Sequence, residues 1–365
     1  MSTTSLPVAV IGAGAAGLTT AKLLADRGVR FEVFDEHPRI GDSWRERYRS
    51  LHLFTPRRFA ALPGLRPRIG VFDYPTAAQM ASYLEEYATR FRLPVRLSAP
   101  VRRLARDADG TFRLSLAEGE EVHADRVVVT AGAHRRPVMP VFAPLLDASI
   151  VQLHSIGYRG PEQLASGTVL VVGAGNSGTD IALEAAASGH PVVVAGRIPG
   201  EIPFGIDSPI ANLISGAVIR RLTRLTIDTE KGRAAKAAQE GHGIMLIRNK
   251  ERDLLRAGVR RVGRIEEIRD GRPVADGEEI AATTVVWCTG SRPELGWIDI
   301  RGALDASGNP IEHRGIATGC PGLGFVGLDF QYSAASSTLP GFAADARYVL
   351  DSLLGPDSAA LARAA

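Results

Sequence analysis

The sequence predicts an α/β protein with two parallel sheets, and three observations predict it. A short apolar run followed by glycines in GxGxxG spacing occurs twice, as "VAVIGAGAAG" at 8–17 and as "VLVVGAGNSG" at 169–178. A helix-like stretch and another short apolar run follow each copy. Two later segments, "VVVTAG" and "VVWCTG", read as buried return strands. Because a glycine turn between a buried parallel strand and a helix marks a βαβ unit, we expect two Rossmann-like dinucleotide-binding domains, the second inserted into the first.

In the first unit the three glycines have separate roles. Gly12 makes the tight turn, Gly14 lets a pyrophosphate approach the backbone, and Gly17 lets the helix pack closely on the strand. The N–H groups at the start of the helix, at Ala15 and Ala16, face the same phosphates. This arrangement predicts a first phosphate cradle.

The strand after each cradle ends in a different charge. The first, "RFEVFD", ends at Asp35, 18 residues beyond Gly17 and followed by Glu36, and an acid there can accept hydrogen bonds from a ribose hydroxyl. The second cradle is formed by Gly173, Gly175, Asn176, Ser177 and Gly178, and the strand after it ends in Gly196 and Arg197. A guanidinium can pair with a 2′-phosphate that a carboxylate would repel. The first cradle therefore suits FAD and the second suits NADPH.

The chain is expected to leave the first domain and to return to it. "ADRVVVTAGAHRRP" and "ATTVVWCTGSRPEL" share a buried strand, a glycine turn, a basic residue and a proline. Such strands link the two domains of flavoproteins with two dinucleotides, so the backbone near Gly132, Thr289 and Gly290 is expected close to cofactor. We predict an FAD-binding domain at 1–160, an NADPH-binding domain at 161–285 and a return segment of the FAD-binding domain at 286–365.

Three further segments complete the prediction. Alternating residues at 101–124, broken at "DADG" and "EGEE", predict a three-stranded antiparallel meander. Gly341 to Leu354 has a helical pattern, and we expect the start of that helix to face the flavin. At 208–240, apolar residues recur at helical spacing from Ile210 to Leu225, beside Arg220, Arg221 and Arg224. That pattern favours an amphipathic helix packed on its own domain, while a lid over a substrate tunnel and a membrane-surface contact stay open.

Composition narrows the class of protein. The chain has 365 residues, 45% of them hydrophobic, with a formal charge of only +3, so nothing indicates a nucleic-acid partner. It lacks the start of a signal peptide and any long apolar run, which predicts a cytoplasmic protein without a transmembrane segment. Cys288 and Cys320 are too far apart for a CxxC pair, and the eight histidines show no metal-ligand spacing. No metal site is expected.

The chain resembles the flavin-containing monooxygenases (class B flavoprotein monooxygenases), especially their short bacterial and YUCCA-like members. The resemblance rests on "IGDSWRERYRSLHLFTPRRFAALPG", "LHSIGYRGP", "GAGNSGTDIALE" and "VVWCTGSRP". It implies that FAD is held by residues at the first cradle and its strand end, and NADPH by residues at the second. The residues expected to bind cofactor are Gly12, Gly14, Ala15, Ala16, Gly17, Asp35, Glu36, Gly41, Asp42, Ser43, Trp44, His52, Thr55, Gly132, Gly173, Gly175, Asn176, Ser177, Gly178, Arg197, Thr289, Gly290, Gly327 and Asp329.

The resemblance also implies the reaction. NADPH reduces the flavin, O₂ adds to form a C4a-(hydro)peroxyflavin, and one oxygen atom passes to a small nucleophilic substrate that contains nitrogen or sulfur. Because the flavin carries the chemistry, the catalytic residues are unknown, with His52, Gln331 and Tyr332 as candidates. His154 is more readily explained as a structural residue of the linker between the domains. Tyr158, where Baeyer–Villiger relatives usually have tryptophan nearby, favours oxidation of a heteroatom. A homodimer is a mild expectation from the family.

Other functions share the two cradles. A pyridine nucleotide–disulfide reductase would need an active-site cysteine pair, which the chain lacks. An NADPH-dependent flavoprotein reductase that passes electrons to ferredoxin, quinone or O₂ needs no such pair. A Baeyer–Villiger-type oxygenase and a redox-sensing flavoprotein also stay open.

Overall fold

The computed structural model describes residues 5–206, 208–239 and 244–355. Its helices and strands fall into three stretches of the chain. The first contains β1 (Val8–Ile11), α1 (Ala15–Asp26), β2 (Phe31–Phe34), α2 (Asp42–Arg45), α3 (Ala77–Arg90), β3 (Val95–Arg96), β4 (Val101–Arg106), β5 (Phe112–Leu116), β6 (Glu121–Ala124), β7 (Val127–Val129) and β8 (Arg136–Pro137). The second contains β9 (Val151–His154), β10 (Thr168–Val172), α4 (Asn176–Ala187), β11 (Val192–Ala195), α5 (Pro209–Arg224), α6 (Glu230–Gln239), α7 (Glu251–Arg256), β12 (Arg260–Val262), β13 (Glu267–Arg269), β14 (Arg272–Ala275), β15 (Glu278–Glu279) and β16 (Ala282–Trp287). The third contains β17 (Ser291–Arg292), β18 (Glu312–His313), β19 (Ile316–Ala317), β20 (Leu323–Phe325) and α8 (Leu339–Leu354).

The first sheet is built from both ends of the chain. Its order is β18-β19-β20-β7-β1-β2-β3, and the strands from β20 to β3 are parallel. Val10 lies opposite Val33 on one side and Val128 on the other, and all three are fully buried. Helix α1 packs against α8, so the two ends of the chain share one hydrophobic core. The predicted α/β fold class is confirmed.

The second sheet is parallel throughout, with the order β12-β11-β10-β16-β9. Its three inner strands, β10, β11 and β16, are rich in β-branched residues and largely buried, because helices cover a parallel sheet on its faces. Strand β9 belongs to this sheet, although it begins about ten residues before the expected start of the NADPH-binding domain. We propose the same order of three parts along the chain, but with the inserted part beginning at β9, ahead of residue 161, and ending at β16.

Smaller sheets accompany the two large parallel sheets. Strands β4, β5 and β6 form the predicted antiparallel meander. Strands β8 and β17 pair where the chain crosses between the two large sheets, with Arg136 opposite Arg292. The crossing segments therefore brace each other.

Helix α5 does not pack as expected. Of its residues only Ala211 is buried, whereas Leu213 is 82% exposed and Ile210 is 60% exposed. The covered side of α5 contacts the first stretch of the chain: Arg58 donates to the carbonyl oxygen of Asn212 and to the hydroxyl of Ser215, both in α5. The expectation that the apolar stripe packs on its own domain is therefore wrong. Helical periodicity predicts a stripe but not the surface against which it packs.

Candidate functional site

The first glycine cradle has the geometry that its spacing predicts. Gly12 has φ = +105°, a left-handed conformation that a side chain would strain. A Cβ atom on Gly17 would lie 1.8 Å from the carbonyl oxygen of Gly12, so only glycine permits this approach of helix to strand. A Cβ atom on Gly14 would meet nothing within 4 Å. The open space lies over the start of α1, at Ala15 and Ala16, where an anionic ligand is favoured.

The second cradle repeats this geometry. Gly173 has φ = +110°, and a Cβ atom on Gly178 would lie 1.9 Å from the carbonyl oxygen of Gly173. A Cβ atom on Gly175 would again meet nothing within 4 Å. Asn176 opens α4, and its side chain bonds to the backbone of Met245 and Ile247, at 3.0 and 2.9 Å. The backbone N–H groups of this turn, rather than the Asn176 amide, therefore face the open space.

Asp35 joins the end of β2 to the first cradle. Its Oδ2 accepts a bond from the Ala13 N–H at 2.6 Å, and its Oδ1 accepts bonds from the backbone N–H and ring Nδ1 of His37, at 2.9 and 2.8 Å. Burial by itself raises the pKa of Asp35, but these bonds outweigh it and hold the pKa below its usual 3.8. A carboxylate has about four acceptor positions, so one is left for a ribose hydroxyl. Glu36 beside it pairs with Arg135.

Asp35 makes the free energy of unfolding fall as the pH is lowered. Because its folded-state pKa is lowered, the stabilisation is complete above the unfolded-state pKa and is lost as pH falls through the folded value. We expect Asp35→Asn to lower the unfolding midpoint of the apoprotein at about pH 5, with a difference from wild type that shrinks towards about pH 3. Thermal melts between these pH values test this. A difference that stayed constant with pH would contradict it.

Arg197 lies at the corresponding position of the second unit, just after β11. It is exposed and lines a cleft of about 420 Å³ together with Arg261, Arg264 and Asp276. Arg261 is held in place by Glu251 at 2.7 Å and by the carbonyl oxygen of Gly196 at 2.9 Å. The cleft at the edge of the second cradle is therefore lined by three arginines and one aspartate, and the guanidinium of Arg261 is already bonded to protein groups. Arg261 and Arg264 were not predicted, because the order of the parallel strands, not the spacing along the chain, brings β12 beside β11.

The Gly41–Trp44 segment packs against the first cradle's domain. Gly41 has φ = +85°, and a Cβ atom there would lie 2.6 Å from the carbonyl oxygen of Ala81 in α3. Asp42 accepts a bond from Arg45 at 2.9 Å, Ser43 is half-buried, and Trp44 packs on the core of the first domain. These residues form a fixed wall rather than a loose loop.

The predicted histidines have different surroundings. His52 is half-buried and donates from Nδ1 to the carbonyl oxygen of Ser50 at 2.8 Å; the neighbouring turn contains Thr55. His154 donates from Nε2 to the carbonyl oxygen of Gly290 at 3.0 Å, and its Nδ1 accepts the Ile156 N–H at 3.2 Å. Burial lowers the pKa of His154. Both ring nitrogens are engaged by backbone groups, which favours the predicted structural role of His154 in the linker.

The return segment places its candidates around the start of α8. A Cβ atom on Gly327 would lie 3.1 Å from the Cβ of Ala16, so this loop touches the first cradle. Asp329 is exposed beside it. Gln331 is fully buried and donates to the carbonyl oxygen of Phe325 at 2.9 Å, while the guanidinium of Arg314 lies 3.6 Å above the ring of Tyr332. These contacts favour a supporting role for both catalytic candidates.

The two glycine turns at which the chain crosses between the large sheets, at Gly132 and Gly290, are open at the surface. Gly132 and Gly290 both have φ = +86°, and a Cβ atom on either would meet nothing within 4 Å. The Thr289 hydroxyl donates to the carbonyl oxygen of Val138 at 2.6 Å, which joins the two crossing segments. Ser177, in the second cradle, is exposed.

The comparisons with known proteins agree with this geometry. The family model of pyridine nucleotide-disulphide oxidoreductases matches residues 9–251. An uncharacterized oxidoreductase of Geobacillus kaustophilus, CzcO-like, is 36% identical over 95% of this chain and 98% of its own length. The indole-3-pyruvate monooxygenase YUCCA1 of Oryza sativa is 30% identical, over 81% of this chain and 79% of its own. A flavin-containing monooxygenase of Stenotrophomonas maltophilia, 24% identical over 96% of this chain and 98% of its own, superposes with a TM-score of 0.74.

The chain belongs to the flavin-containing monooxygenase family. It is an oxidoreductase, and the predicted family and enzyme class are confirmed. The predicted cofactors, FAD and NADPH, match the FAD and NADP contained in a solved structure of the same fold, that of OTEMO. Within the described residues, no helix of this monooxygenase is both long and apolar enough to cross a membrane. In the same part of the chain, no group of three or more His, Cys, Asp or Glu side chains could hold a metal ion.

Proposed function

We propose that this monooxygenase binds FAD at the first cradle and NADPH at the second, and oxygenates a small substrate at nitrogen or sulfur. Bound FAD, once reduced by NADPH, supplies the oxygen chemistry, through a C4a-(hydro)peroxyflavin. Substrate and O₂ are its partners, and we place the reaction in the cytoplasm. A homodimer stays a prediction.

One observation carries this proposal: two cradles of the same geometry end in opposite charges. In both cradles, a Cβ atom on the middle glycine would lie in open space above the start of a helix. A Cβ atom on either outer glycine would collide with backbone atoms. The first ends at the Asp35 carboxylate, which has an acceptor left for a ribose hydroxyl. The second ends at the cleft lined by Arg197, Arg261, Arg264 and Asp276, whose excess of arginines over carboxylates suits a 2′-phosphate.

The chain's own residues hold and shield these groups. The start of α1 and the wall from Gly41 to Trp44 would hold FAD, and the Gly327 loop closes the first cradle on the side of α8. The start of α4 would hold the pyrophosphate of NADPH. Because water breaks down activated oxygen on a flavin, a wall of packed side chains favours productive transfer. No charged acid–base pair is required for this chemistry.

Arg197→Ala is expected to weaken NADPH binding and to spare NADH. Loss of one charge-assisted bond costs about 1.5–3 kcal/mol, which corresponds to about 10- to 150-fold in the dissociation constant. Titrations of the purified protein with each coenzyme measure this difference. Arg260→Ala is the matched control, because Arg260 is an exposed arginine of β12 that pairs with Glu278. Equal losses for NADPH and NADH would contradict the assignment.

Anaerobic stopped-flow tests the proposed function. The protein is reduced with NADPH, mixed with oxygenated buffer, and the flavin spectrum is followed with and without amines or sulfides. A transient species between reduced and oxidised flavin, consumed faster by a substrate, supports heteroatom oxygenation. Direct return to oxidised flavin with stoichiometric H₂O₂, whatever compound is present, contradicts it and favours the reductase alternative. Consumption by ketones alone would favour Baeyer–Villiger oxygenation.

A further inference from the structure

A polar cluster joins the first stretch of the chain to the helix of the second cradle. It consists of Tyr48, Asp180 and Asn249. Tyr48 follows α2 by three residues and so continues the wall from Gly41 to Trp44. Asp180 lies one turn into α4, the helix of the second cradle. These residues come from stretches of the chain that are 132 and 69 residues apart.

The Asp180 carboxylate accepts a bond from each of the other two residues. The Tyr48 hydroxyl donates to Oδ2 at 2.9 Å, and the Asn249 amide donates to Oδ1 at 2.5 Å. Tyr48 is 4% exposed, and its ring packs 6.4 Å from that of the fully buried Tyr158. Because Asp180 is half-buried, loss of these donors would leave its carboxylate poorly solvated, so the cluster has one favoured arrangement.

On either side of Asn249, Arg248 fastens this segment to the first domain and Lys250 braces the segment itself. Arg248 donates to the carbonyl oxygen of Leu53 at 2.8 Å, next to His52 in the first domain. The buried Lys250 donates to the carbonyl oxygens of Leu246 and Ile247, at 3.0 and 2.9 Å. Residues 246–250 therefore form a braced loop. Asp180 is the residue at which this loop, α4 and the continuation of the wall from Gly41 to Trp44 meet.

From this geometry we infer that Asp180 is a positioning residue, which sets the distance between the two cradles by holding Tyr48 against the first turn of α4. The inference rests on the proposed function, because the distance matters for hydride transfer from NADPH to FAD. That transfer requires reacting atoms about 3–3.5 Å apart, and a displacement of about 1 Å can cost 100-fold in rate. A hydroxyl–carboxylate bond at 2.9 Å constrains displacements of this size.

The test is the rate of flavin reduction by NADPH, measured in anaerobic stopped-flow on FAD-loaded protein. Tyr48→Phe keeps the ring and removes the hydroxyl, which bonds to Asp180 and also contacts the Ser177 side chain. We expect the limiting rate at saturating NADPH to fall by about tenfold, while FAD content and the dissociation constant of NADPH change less than about twofold. Tyr87→Phe is the matched control, since Tyr87 is a buried tyrosine that donates to the carbonyl oxygen of Pro63 within the first domain.

A second readout needs no cofactor. In the apoprotein, Tyr48→Phe is expected to lower the unfolding midpoint by about 2–4 °C, but not to lower it when Asp180→Ala is already present. This non-additivity shows that the two side chains act through one bond.

The outcomes separate two failures. Wild-type protein that NADPH does not reduce refutes the proposed function, and the inference with it. Wild-type protein that is reduced, with Tyr48→Phe equally fast or with additive midpoints, refutes the inference alone. Slowed reduction in Tyr48→Phe, unchanged reduction in Tyr87→Phe and non-additive midpoints support it.

Discussion

Gly14→Val is expected to give a folded protein that does not retain FAD. The backbone at Gly14 is extended, with φ = −71° and ψ = −174°, a conformation open to any residue. A Cβ atom there would meet nothing within 4 Å, so the side chain occupies the space of the pyrophosphate without disturbing the protein. Loss of two charge-assisted bonds from the start of α1 costs about 3 kcal/mol, which lowers FAD affinity by at least about 100-fold.

The measurement is the FAD content of purified protein, from its visible absorbance, beside a thermal melt. Gly296→Val is the matched control, because a Cβ atom on Gly296 also meets nothing within 4 Å and the residue lies in neither cradle. We expect the control to be yellow and the Gly14→Val protein to be colourless with a cooperative melt. A yellow, fully loaded Gly14→Val protein would refute the placement of FAD at the first cradle.

Gly175→Val is expected to retain FAD and to lose its reduction by NADPH. The conformation at Gly175 matches that at Gly14, with φ = −82° and ψ = −171°, and the space over it is equally open. The same argument predicts at least about a 100-fold loss, this time in NADPH affinity. The two variants together separate the two cofactors.

Flavin bleaching by NADPH and by dithionite measures this loss. Dithionite needs no nucleotide site, so it should reduce Gly175→Val protein as fast as wild type, whereas low concentrations of NADPH should not. The Gly296→Val control should respond to both reductants. If NADPH reduced the Gly175→Val protein normally, the second cradle would not be the NADPH site.

The cradles were predictable because their requirements are local. Gly12 and Gly17 are needed where a backbone turn and a helix meet within six residues, and Asp35 follows at a distance that one strand and one helix determine. The second unit obeys the same constraints. Proximity of the two ends of the chain was also predictable, since return strands have a recognisable pattern. Family membership follows from these segments together.

The surroundings of the site were harder to predict from the sequence. The stripe on α5 was correctly recognised as helical, but the contact that α5 makes with Arg58 comes from a stretch about 150 residues earlier and leaves no signal in the helix itself. Gln331 and Tyr332 were selected by their place before the last helix. The structure shows the Gln331 amide bonded to backbone and the Tyr332 ring covered by Arg314.

By itself, the sequence determined the fold class, the two cradles and the opposite charges at their strand ends, because glycine spacing and strand-end residues act over short distances along the chain. Only the tertiary structure decided which arginines share the cleft with Arg197, what α5 packs against, and that Asp180 joins Tyr48 to Asn249. Those contacts arise from strand order and from the approach of the two sheets. Neither leaves a periodic signal in the chain, since the partners are separated by tens to hundreds of residues.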